Sequence, residues 1–273
     1  MPELPEVETI ARALAGALQG RKLLRAAAYT PRLREPLDTD NLSLAAGRKF
    51  TVIRRRAKFI IAETGGTAPA LALHLGMTGS LRIEEKDAAR RKHDHAEFFL
   101  DNGKKLVYND PRRFGLAKVY PTPAAFAEEY ADLGLEPLEK GFSGEWLFTR
   151  SRKANTPIKP WIMKQEIVVG VGNIYACESL HRCRISPLRP ANGLSRDECA
   201  NLVREIKTVL KQSIKNGGTT FSDYRQLDGS EGHFVQRLEV YGRTSEPCRH
   251  CGAPIARIVQ GGRSTFYCPQ CQA

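Results

Sequence analysis

Residues 248–271 have the sequence CRHCGAPIARIVQGGRSTFYCPQC, which predicts the fold at this end of the chain. Its cysteines follow the pattern C-x2-C-x16-C-x2-C, which is zinc-ribbon spacing. Each pair brings two thiolates from one tight turn onto a metal, and two such turns on facing hairpins complete a closed tetrahedral site. The pattern predicts one structural zinc ion bound by Cys248, Cys251, Cys268 and Cys271. A disulfide framework is the alternative, and a reducing compartment disfavours it.

The composition around this stretch is that of an ordinary folded protein. The chain has 273 residues, of which 41% are hydrophobic and 26% are charged. These values exclude a wholly disordered chain and a disulfide-stabilised miniprotein. No apolar run approaches the ~18 residues that a membrane span requires, and the N-terminus lacks the order of a signal peptide. We therefore expect a cytoplasmic protein without a membrane-spanning segment.

The charge balance indicates a polyanionic partner. Lys and Arg total 42 against 30 Asp and Glu, which leaves a formal charge of +12. Basic residues occur in short clusters such as Arg54–Arg56 and Arg90–Lys92, inside patterned sequence rather than in a continuous tail. Charge alone leaves nucleic acid and a membrane surface as alternatives, and part of it is ordinary solvated surface.

The first half of the chain has the pattern of a β-sandwich flanked by a helix. Pro5 suits a first helical turn, and the apolar residues that follow it repeat at helical spacing as far as Leu18. Short β-like runs then occupy about residues 22–120. Asp101–Gly103 separates two of them as a hairpin turn.

The second half has the pattern of helices. Ser195 and Glu198 form a capping box, and Gly217–Gly218 is expected to end the helix that follows. Ahead of this helix, Trp161–Val169 leads into the turn Gly170–Asn173, which predicts a helix, a glycine turn and a second helix. The whole chain is therefore expected to be an α+β multidomain protein with a β-rich, a helical and a ribbon module.

The N-terminus carries a potential nucleophile. Removal of Met1 ahead of Pro2 would expose a secondary amine, and the following helix N-terminus would lower its pKa from the usual ~8. Such an amine can attack a sugar C1′ and form an iminium that draws electrons during elimination. Glu3 and Glu6 are candidates for a proton donor and an orienting carboxylate. Taken alone, these residues also suit a simple acidic helix cap.

A series of motifs along the chain resembles one family. The chain is similar throughout its length to bacterial formamidopyrimidine-DNA glycosylases, the Fpg branch of the Fpg/Nei family. The motifs occur in that family's order: MPELPEVE, RRRAKF, HLGMTGS, NDPRRFG, PIK, GVGNIYACESL, GGTTFSDY, VYGR and RSTFYCPQC.

The resemblance implies a fold, a partner and a reaction. It implies an N-terminal catalytic β-sandwich domain over 1–133, a helix-two-turn-helix DNA-binding domain over 134–236 and a zinc finger over 237–273. Family members excise oxidised purines, chiefly 8-oxoguanine and formamidopyrimidines, and then cut the strand by β and δ elimination. The partner would be damaged double-stranded DNA and not a membrane, and the DNA would be bound by a monomer at the bacterial nucleoid.

The resemblance also implies catalytic roles. Pro2 matches the Schiff-base nucleophile and Glu3 the general acid, with Glu6 in support. Lys58 matches the lysine assigned to β elimination, and Arg263 matches the ribbon arginine assigned to δ elimination. Positioning of phosphate is the alternative role for both basic residues.

A further group matches the residues that fill the gap left by an extruded base. These are Met77, Arg112 and Phe114: a flexible thioether, a cation that can hydrogen-bond the orphaned base, and an aromatic wedge. By composition alone, Met77 and Phe114 would more often be core residues.

Other motif positions imply contacts to the DNA backbone. Asn173 lies in the glycine turn, where backbone amides can hold phosphate. The remaining backbone contacts implied are His74, His93, Lys159 and Tyr241. The stretch 218–224 matches the loop that covers the extruded base.

Two residues depart from the family pattern. Lys164 stands where Asp is usual, and Asn155 where Lys is frequent. Either change is expected to reshape phosphate contacts without touching the catalytic groups.

Two alternatives stay open from the sequence. The Nei branch shares the amine chemistry but prefers oxidised pyrimidines, and the MPELPEVE start favours the Fpg branch. A non-catalytic DNA-binding protein would need only the ribbon and the glycine turn, and the intact Pro2–Glu3 pair argues against it.

Overall fold

The computed structural model describes residues 2–220 and 225–272. The chain divides into two compact units, one formed by Met1–Ala131 with Asn216–His233 and the other by Asp132–Lys215 with Phe234–Ala273. Among the described residues, no helix is long and apolar enough to cross a membrane.

The first unit contains two antiparallel sheets of four strands each in its described part. One sheet has the order β1-β6-β7-β5 and comprises β1 (Leu23–Ala28), β5 (Ser80–Glu85), β6 (Asp94–Leu100) and β7 (Lys104–Asn109). The other has the order β2-β3-β4-β8 and comprises β2 (Val52–Arg56), β3 (Phe59–Glu63), β4 (Ala70–His74) and β8 (Leu116–Tyr120). The helices that accompany them are α1 (Leu4–Leu18), α2 (Thr39–Ser43) and α3 (Pro123–Glu129).

One hydrophobic core joins both sheets to α1. Phe98 of the first sheet and Leu73 of the second belong to the same buried cluster, together with Ile10 and Leu14 of α1. Each such side chain, once fully buried, contributes about 1.5–3 kcal/mol to stability. The sandwich with a flanking helix that the sequence predicts is therefore confirmed.

The predicted hairpin turn joins β6 to β7. Gly103 has a φ of +78°, a conformation that favours glycine because it has no Cβ. The side-chain oxygen of Asn102 accepts a hydrogen bond of 3.3 Å from the Lys104 amide. The pairing Phe98↔Leu106 then continues the core face on both strands.

The second unit contains a helical part and the ribbon. Its helices are α4 (Gly144–Ser151), α5 (Ile158–Ile162), α6 (Asn173–Arg182) and α7 (Arg196–Lys215), and its strands are β9 (Ala256–Gln260) and β10 (Arg263–Tyr267). The capping box is confirmed, because the Ser195 amide donates to Glu198 and the Glu198 amide donates to the Ser195 hydroxyl, at 2.8 and 3.2 Å. The glycine stop is also confirmed, since α7 ends just before Gly217, whose φ is +73°.

The helix predicted over Trp161–Val169 is wrong in its extent. The helix α5 ends at Ile162, and Val168 instead forms a parallel bridge with Leu135. An added Cβ on Gly134 would lie 2.4 Å from the Ile167 carbonyl oxygen, so the chain from Glu166 to Val168 packs directly on a glycine backbone. The chain turns before this bridge, because the amides of Ile167 and Val168 both donate to the Lys164 carbonyl, at 3.0 and 3.3 Å.

Candidate functional site

Pro2, Glu3 and Glu6 are buried together at the N-terminus of α1. The Glu3 amide donates a hydrogen bond of 2.8 Å to Oε2 of Glu6. The other carboxylate oxygen, Oε1, accepts a hydrogen bond of 2.8 Å from the Thr219 amide. Glu6 therefore ties the start of α1 to the segment that follows α7 within the first unit. The partial positive charge of a helix N-terminus favours both carboxylates and an unprotonated amine here.

Lys58 lies in the turn between β2 and β3, next to a strained residue. Ala57 has a φ of +53°, which is unusual for a residue with a Cβ. Burial, followed by the positive charges of Lys58 and Arg34, lowers the pKa of His74 to about 4. Nδ1 of His74 accepts a hydrogen bond of 3.0 Å from the Gly76 amide, so Nε2 carries the proton. His74 is thus a neutral donor at physiological pH rather than a cation.

Met77 and Phe114 are exposed, although apolar side chains of this size are usually buried. Their exposed fractions are 37% and 48%. The guanidinium of Arg112 lies 4.8 Å from the centre of the Phe114 ring, a cation–π arrangement. Core packing, the alternative that composition favours, is therefore excluded for both residues. The three side chains form an exposed group on the first unit.

Asp110 fixes the two loops that carry these exposed side chains. Its carboxylate is fully buried and accepts hydrogen bonds from the Thr78 hydroxyl at 2.6 Å and from the Gly115 amide at 2.8 Å. The Thr78 hydroxyl oxygen in turn accepts the Arg112 amide at 3.2 Å. Asp110 thus connects the loop after β4 to the loop after β7.

His93 lies beside the same loop system. Its carbonyl oxygen accepts a hydrogen bond of 3.1 Å from the Asp110 amide, and its φ is +68°. The centre of its ring lies 6.3 Å from that of His95, whose Nε2 is 2.9 Å from the Asp110 carbonyl oxygen. A residue with a Cβ held at positive φ is strained, and such strain clusters at functional sites.

In the second unit, Lys159 and Asn173 form one buried polar network with the ribbon. Lys159 is 1% exposed, and its ammonium donates to Oδ1 of Asn173 at 2.5 Å and to the Thr265 hydroxyl at 2.7 Å. The Asn173 amide donates to the Ser264 carbonyl at 2.8 Å and to the Tyr241 hydroxyl at 3.4 Å. The structure therefore joins three predicted DNA contacts through hydrogen bonds to β10. The ammonium of Lys159 donates its hydrogen bonds to acceptors of the protein itself, including Asn173 and Thr265.

Arg263 is exposed at the first position of β10. The turn before it contains Gly261 and Gly262, whose φ values are +55° and +72°. These positive values favour glycine, and the tight turn projects the arginine from the end of the hairpin.

Glu178 holds the segment that carries Tyr241. Its fully buried carboxylate accepts hydrogen bonds from the amides of Glu239, Val240 and Tyr241 at 2.8, 3.0 and 2.9 Å. Sequence reasoning missed this role, although an acidic residue on the apolar face of a predicted helix is a signal for a buried polar partner.

The four ribbon cysteines cluster at the spacing of a zinc site. Their sulfur atoms all lie within 4.8 Å of one another, with Cys248 to Cys271 at 3.9 Å and Cys251 to Cys268 at 3.5 Å. A tetrahedral zinc with bonds of about 2.3 Å separates its sulfurs by about 3.8 Å, whereas a disulfide bond is about 2.05 Å. The cluster therefore fits one zinc ion and excludes the disulfide alternative.

Three protein-family models match successive parts of this chain. The model of the formamidopyrimidine-DNA glycosylase N-terminal domain matches residues 1–117, that of the H2TH domain of the same enzyme matches 133–225, and that of the zinc finger found in FPG and IleRS matches 245–273. Formamidopyrimidine-DNA glycosylases from Serratia proteamaculans and Thioalkalivibrio sulfidiphilus are 46% and 47% identical to this chain over 272 residues, covering 100% of both chains. The chain belongs to the formamidopyrimidine-DNA glycosylase family.

Solved structures agree with this assignment over nearly the whole chain. A mutant of the Lactococcus lactis FPG, in a complex with DNA containing Fapy-dG, superposes with a TM-score of 0.91 at 34% identity and covers 99% of each chain. The MutM (FPG) protein of Thermus thermophilus superposes with a TM-score of 0.88 at 39% identity and covers 99% of this chain and 98% of that one. The predicted fold class, with a β-sandwich, a helical domain and a zinc finger, is confirmed.

The two departures from the family pattern, Lys164 and Asn155, each contact a nearby polar side chain. Lys164 forms an ion pair of 3.5 Å with Glu166, and Oδ1 of Asn155 accepts a hydrogen bond of 2.7 Å from Asn192. The loop prediction over 218–224 falls largely on residues 221–224, which lie outside the described residues.

Proposed function

We propose that this chain is a bifunctional DNA glycosylase and AP lyase that excises oxidised purines from double-stranded DNA. The observation that carries this proposal is the burial of Pro2, Glu3 and Glu6 together at the positive end of α1. Membership of the family and the DNA lesion in the complex of its Lactococcus lactis member support it. We assign the substrate class as 8-oxoguanine and formamidopyrimidines.

The reaction begins at the nitrogen of Pro2 once Met1 has been removed. The nitrogen lone pair forms a bond to C1′ while the glycosidic bond breaks and its electron pair leaves with the base. The base takes up a proton and the nitrogen loses one. The C1′–O4′ bond then breaks, O4′ takes up a proton, and the nitrogen lone pair completes the C1′=N⁺ iminium. We assign Glu3 to proton transfer at this end of the deoxyribose, and Glu6 holds the Glu3 backbone through the 2.8 Å hydrogen bond.

Strand cleavage follows by two eliminations from the iminium. Loss of a proton from C2′ expels the 3′ phosphate, and loss of a proton from C4′ expels the 5′ phosphate. We assign Lys58 to the first elimination and Arg263 to the second. Each residue would also neutralise a departing phosphate, so proton transfer and electrostatic positioning act together.

The exposed group of Met77, Arg112 and Phe114 is assigned to the gap left by the extruded base. Extrusion costs a few kcal/mol of lost stacking and pairing. The Phe114 ring is already exposed and lies 4.8 Å from the Arg112 guanidinium. It can therefore replace a stacked base without first leaving a hydrophobic core. Arg112 would then hydrogen-bond the orphaned base.

Backbone binding is assigned to residues on both units. Asn173 begins α6, where helix amides can hold phosphate. His74, His93 and Tyr241 are assigned direct contacts, and Lys159 acts through the network that fixes Asn173. We propose functional modules over 1–133, 134–236 and 237–273, acting as a monomer on damaged DNA in the bacterial cytoplasm and nucleoid.

Borohydride trapping tests the central step. Mixing the protein with an 8-oxoguanine duplex and borohydride should reduce the iminium to a stable amine that links the N-terminus to DNA. The control is a form that keeps Met1, verified by mass spectrometry, in which the Pro2 nitrogen is a tertiary amide. If that form still cleaves and traps at the rate of the processed protein, Pro2 is not the nucleophile and Lys58 becomes the first candidate.

A second variant separates base removal from strand cleavage. Glu3→Gln keeps the shape of the side chain but removes its proton transfer. It should slow excision of 8-oxoguanine by about 100-fold or more while still trapping on a duplex with a preformed abasic site. Equal activity of Glu3→Gln and wild type on the intact lesion would contradict the role of Glu3.

A further inference from the structure

A second cluster of metal-ligand side chains lies beside the ribbon cysteines. Nδ1 of His181, a carboxylate oxygen of Glu239 and Nε2 of His250 all lie within 4.8 Å of one another. The three residues come from the last turn of α6, from the segment that Glu178 holds, and from the first cysteine turn of the ribbon. Nothing in the proposed DNA chemistry uses them.

His181 is oriented by the cysteine site. Its side chain is fully buried, and Nε2 lies 3.7 Å from the sulfur of Cys248. A cysteine bound to zinc is a thiolate, which accepts a hydrogen bond, so Nε2 carries the proton. This arrangement leaves Nδ1 as the ring nitrogen that faces the second cluster.

Glu239 presents one oxygen to both imidazoles. Its Oε2 lies 3.2 Å from Nδ1 of His181 and 3.2 Å from Nε2 of His250, while Oε1 lies 3.2 Å from Nε of Arg182. Among the described residues, the buried Nδ1 of His181 has no aligned hydrogen-bond partner despite this proximity. Oε2 of Glu239 therefore lies between the two imidazole nitrogens, where one bound cation would contact all three side chains.

Two of the three ligand–ligand distances suit a small divalent metal, and the two histidine nitrogens lie within 4.8 Å of each other. Bonds of about 2.0–2.1 Å at a tetrahedral angle separate two ligand atoms by about 3.4 Å, close to the two oxygen–nitrogen distances of 3.2 Å. The side chain of His250 is 56% exposed, so its ring can turn to complete the site. Two imidazoles and one carboxylate are a donor set for zinc or cobalt, and they leave a fourth position for water.

We propose that His181, Glu239 and His250 form a second metal site for a zinc-class divalent cation, adjacent to the structural zinc. A cation there joins the end of α6 to the first cysteine turn. Because α6 begins at Asn173, the same helix then carries the predicted phosphate contact at one end and a metal ligand at the other.

Metal content of the full-length protein tests the proposal without reference to DNA. Protein loaded with one equivalent of zinc is incubated with Co²⁺, passed through gel filtration and analysed for both metals. Wild type should retain one equivalent of cobalt in addition to its zinc. Its spectrum should show ligand-field bands of nitrogen and oxygen donors without a thiolate-to-cobalt charge-transfer band.

Matched variants complete the test. His250→Ala and Glu239→Gln should lose the cobalt and keep the zinc, whereas His233→Ala, an exposed histidine of the first unit, should keep both. The side chain of His250 is largely exposed, so its removal leaves the ribbon core in place. The proposal is overturned if wild type retains no cobalt, if cobalt displaces the zinc, or if His250→Ala retains as much cobalt as wild type.

Discussion

Replacing Asp110 with alanine should loosen the loops that present Met77, Arg112 and Phe114. The carboxylate accepts two hydrogen bonds, from the Thr78 hydroxyl at 2.6 Å and the Gly115 amide at 2.8 Å, and it is fully buried. Hydrogen bonds to a charged acceptor contribute about 1.5–3 kcal/mol each, and the abandoned Gly115 amide would stay buried. We expect Asp110→Ala to destabilise the first unit by about 3–5 kcal/mol.

Asp110→Asn is the matched control because it preserves shape. Its amide oxygen can keep the Gly115 bond, and its NH₂ group can donate to the Thr78 hydroxyl, which then reverses its direction. The loss should therefore fall to about 1–2 kcal/mol. The difference in stability between the two variants measures the loss of the side chain together with its two hydrogen bonds, and the loss that remains in Asp110→Asn measures the change from a charged to a neutral acceptor.

Two assays report this change. Urea unfolding gives the loss of stability, and hydrogen exchange of residues 109–115 shows whether the loss is local. A fluorescent base analogue at the lesion should also show weaker extrusion by Asp110→Ala, with zinc content unchanged. An Asp110→Ala protein with stability within about 0.5 kcal/mol of wild type and unchanged exchange would refute the reasoning.

Three further predictions concern the zinc site, the DNA contacts and the titration of His74. Cys248→Ser should lose zinc and DNA affinity together, because so short a ribbon has too little core to fold without its metal; full affinity without zinc would contradict this. Asn173→Ala should weaken binding to lesion and plain duplex alike with the salt slope nearly unchanged, because Asn carries no charge, whereas Phe114→Ala should mainly impair extrusion; equal losses for both variants on both DNAs would contradict the division. The depressed pKa of His74, about 4 against 6.5 when unfolded, means that the unfolded chain binds the extra proton, so stability should fall as pH drops from about 6.5 to 4. His74→Gln should flatten that part of a urea-midpoint profile measured against pH.

Features that depend on residues close together in the chain could be predicted without the structure. The Ser195–Glu198 box, the stop at Gly217 and the turn at Gly103 are set within a few residues of chain, so their patterns are readable directly. The cysteine spacing identified the metal site for the same reason, since each pair of ligands lies on one short turn. The order of the motifs identified the family.

Contacts between distant segments and the exposure of individual side chains became visible in the folded chain alone. The exposure of Phe114 depends on how Asp110 holds two loops, and the burial of Lys159 depends on acceptors about a hundred positions away in β10. The path of Val168 similarly depends on its bridge to Leu135. Side-chain burial and long-range hydrogen bonds depend on how helices and strands pack. The local periodicity of the sequence does not identify the distant residue that a side chain will contact.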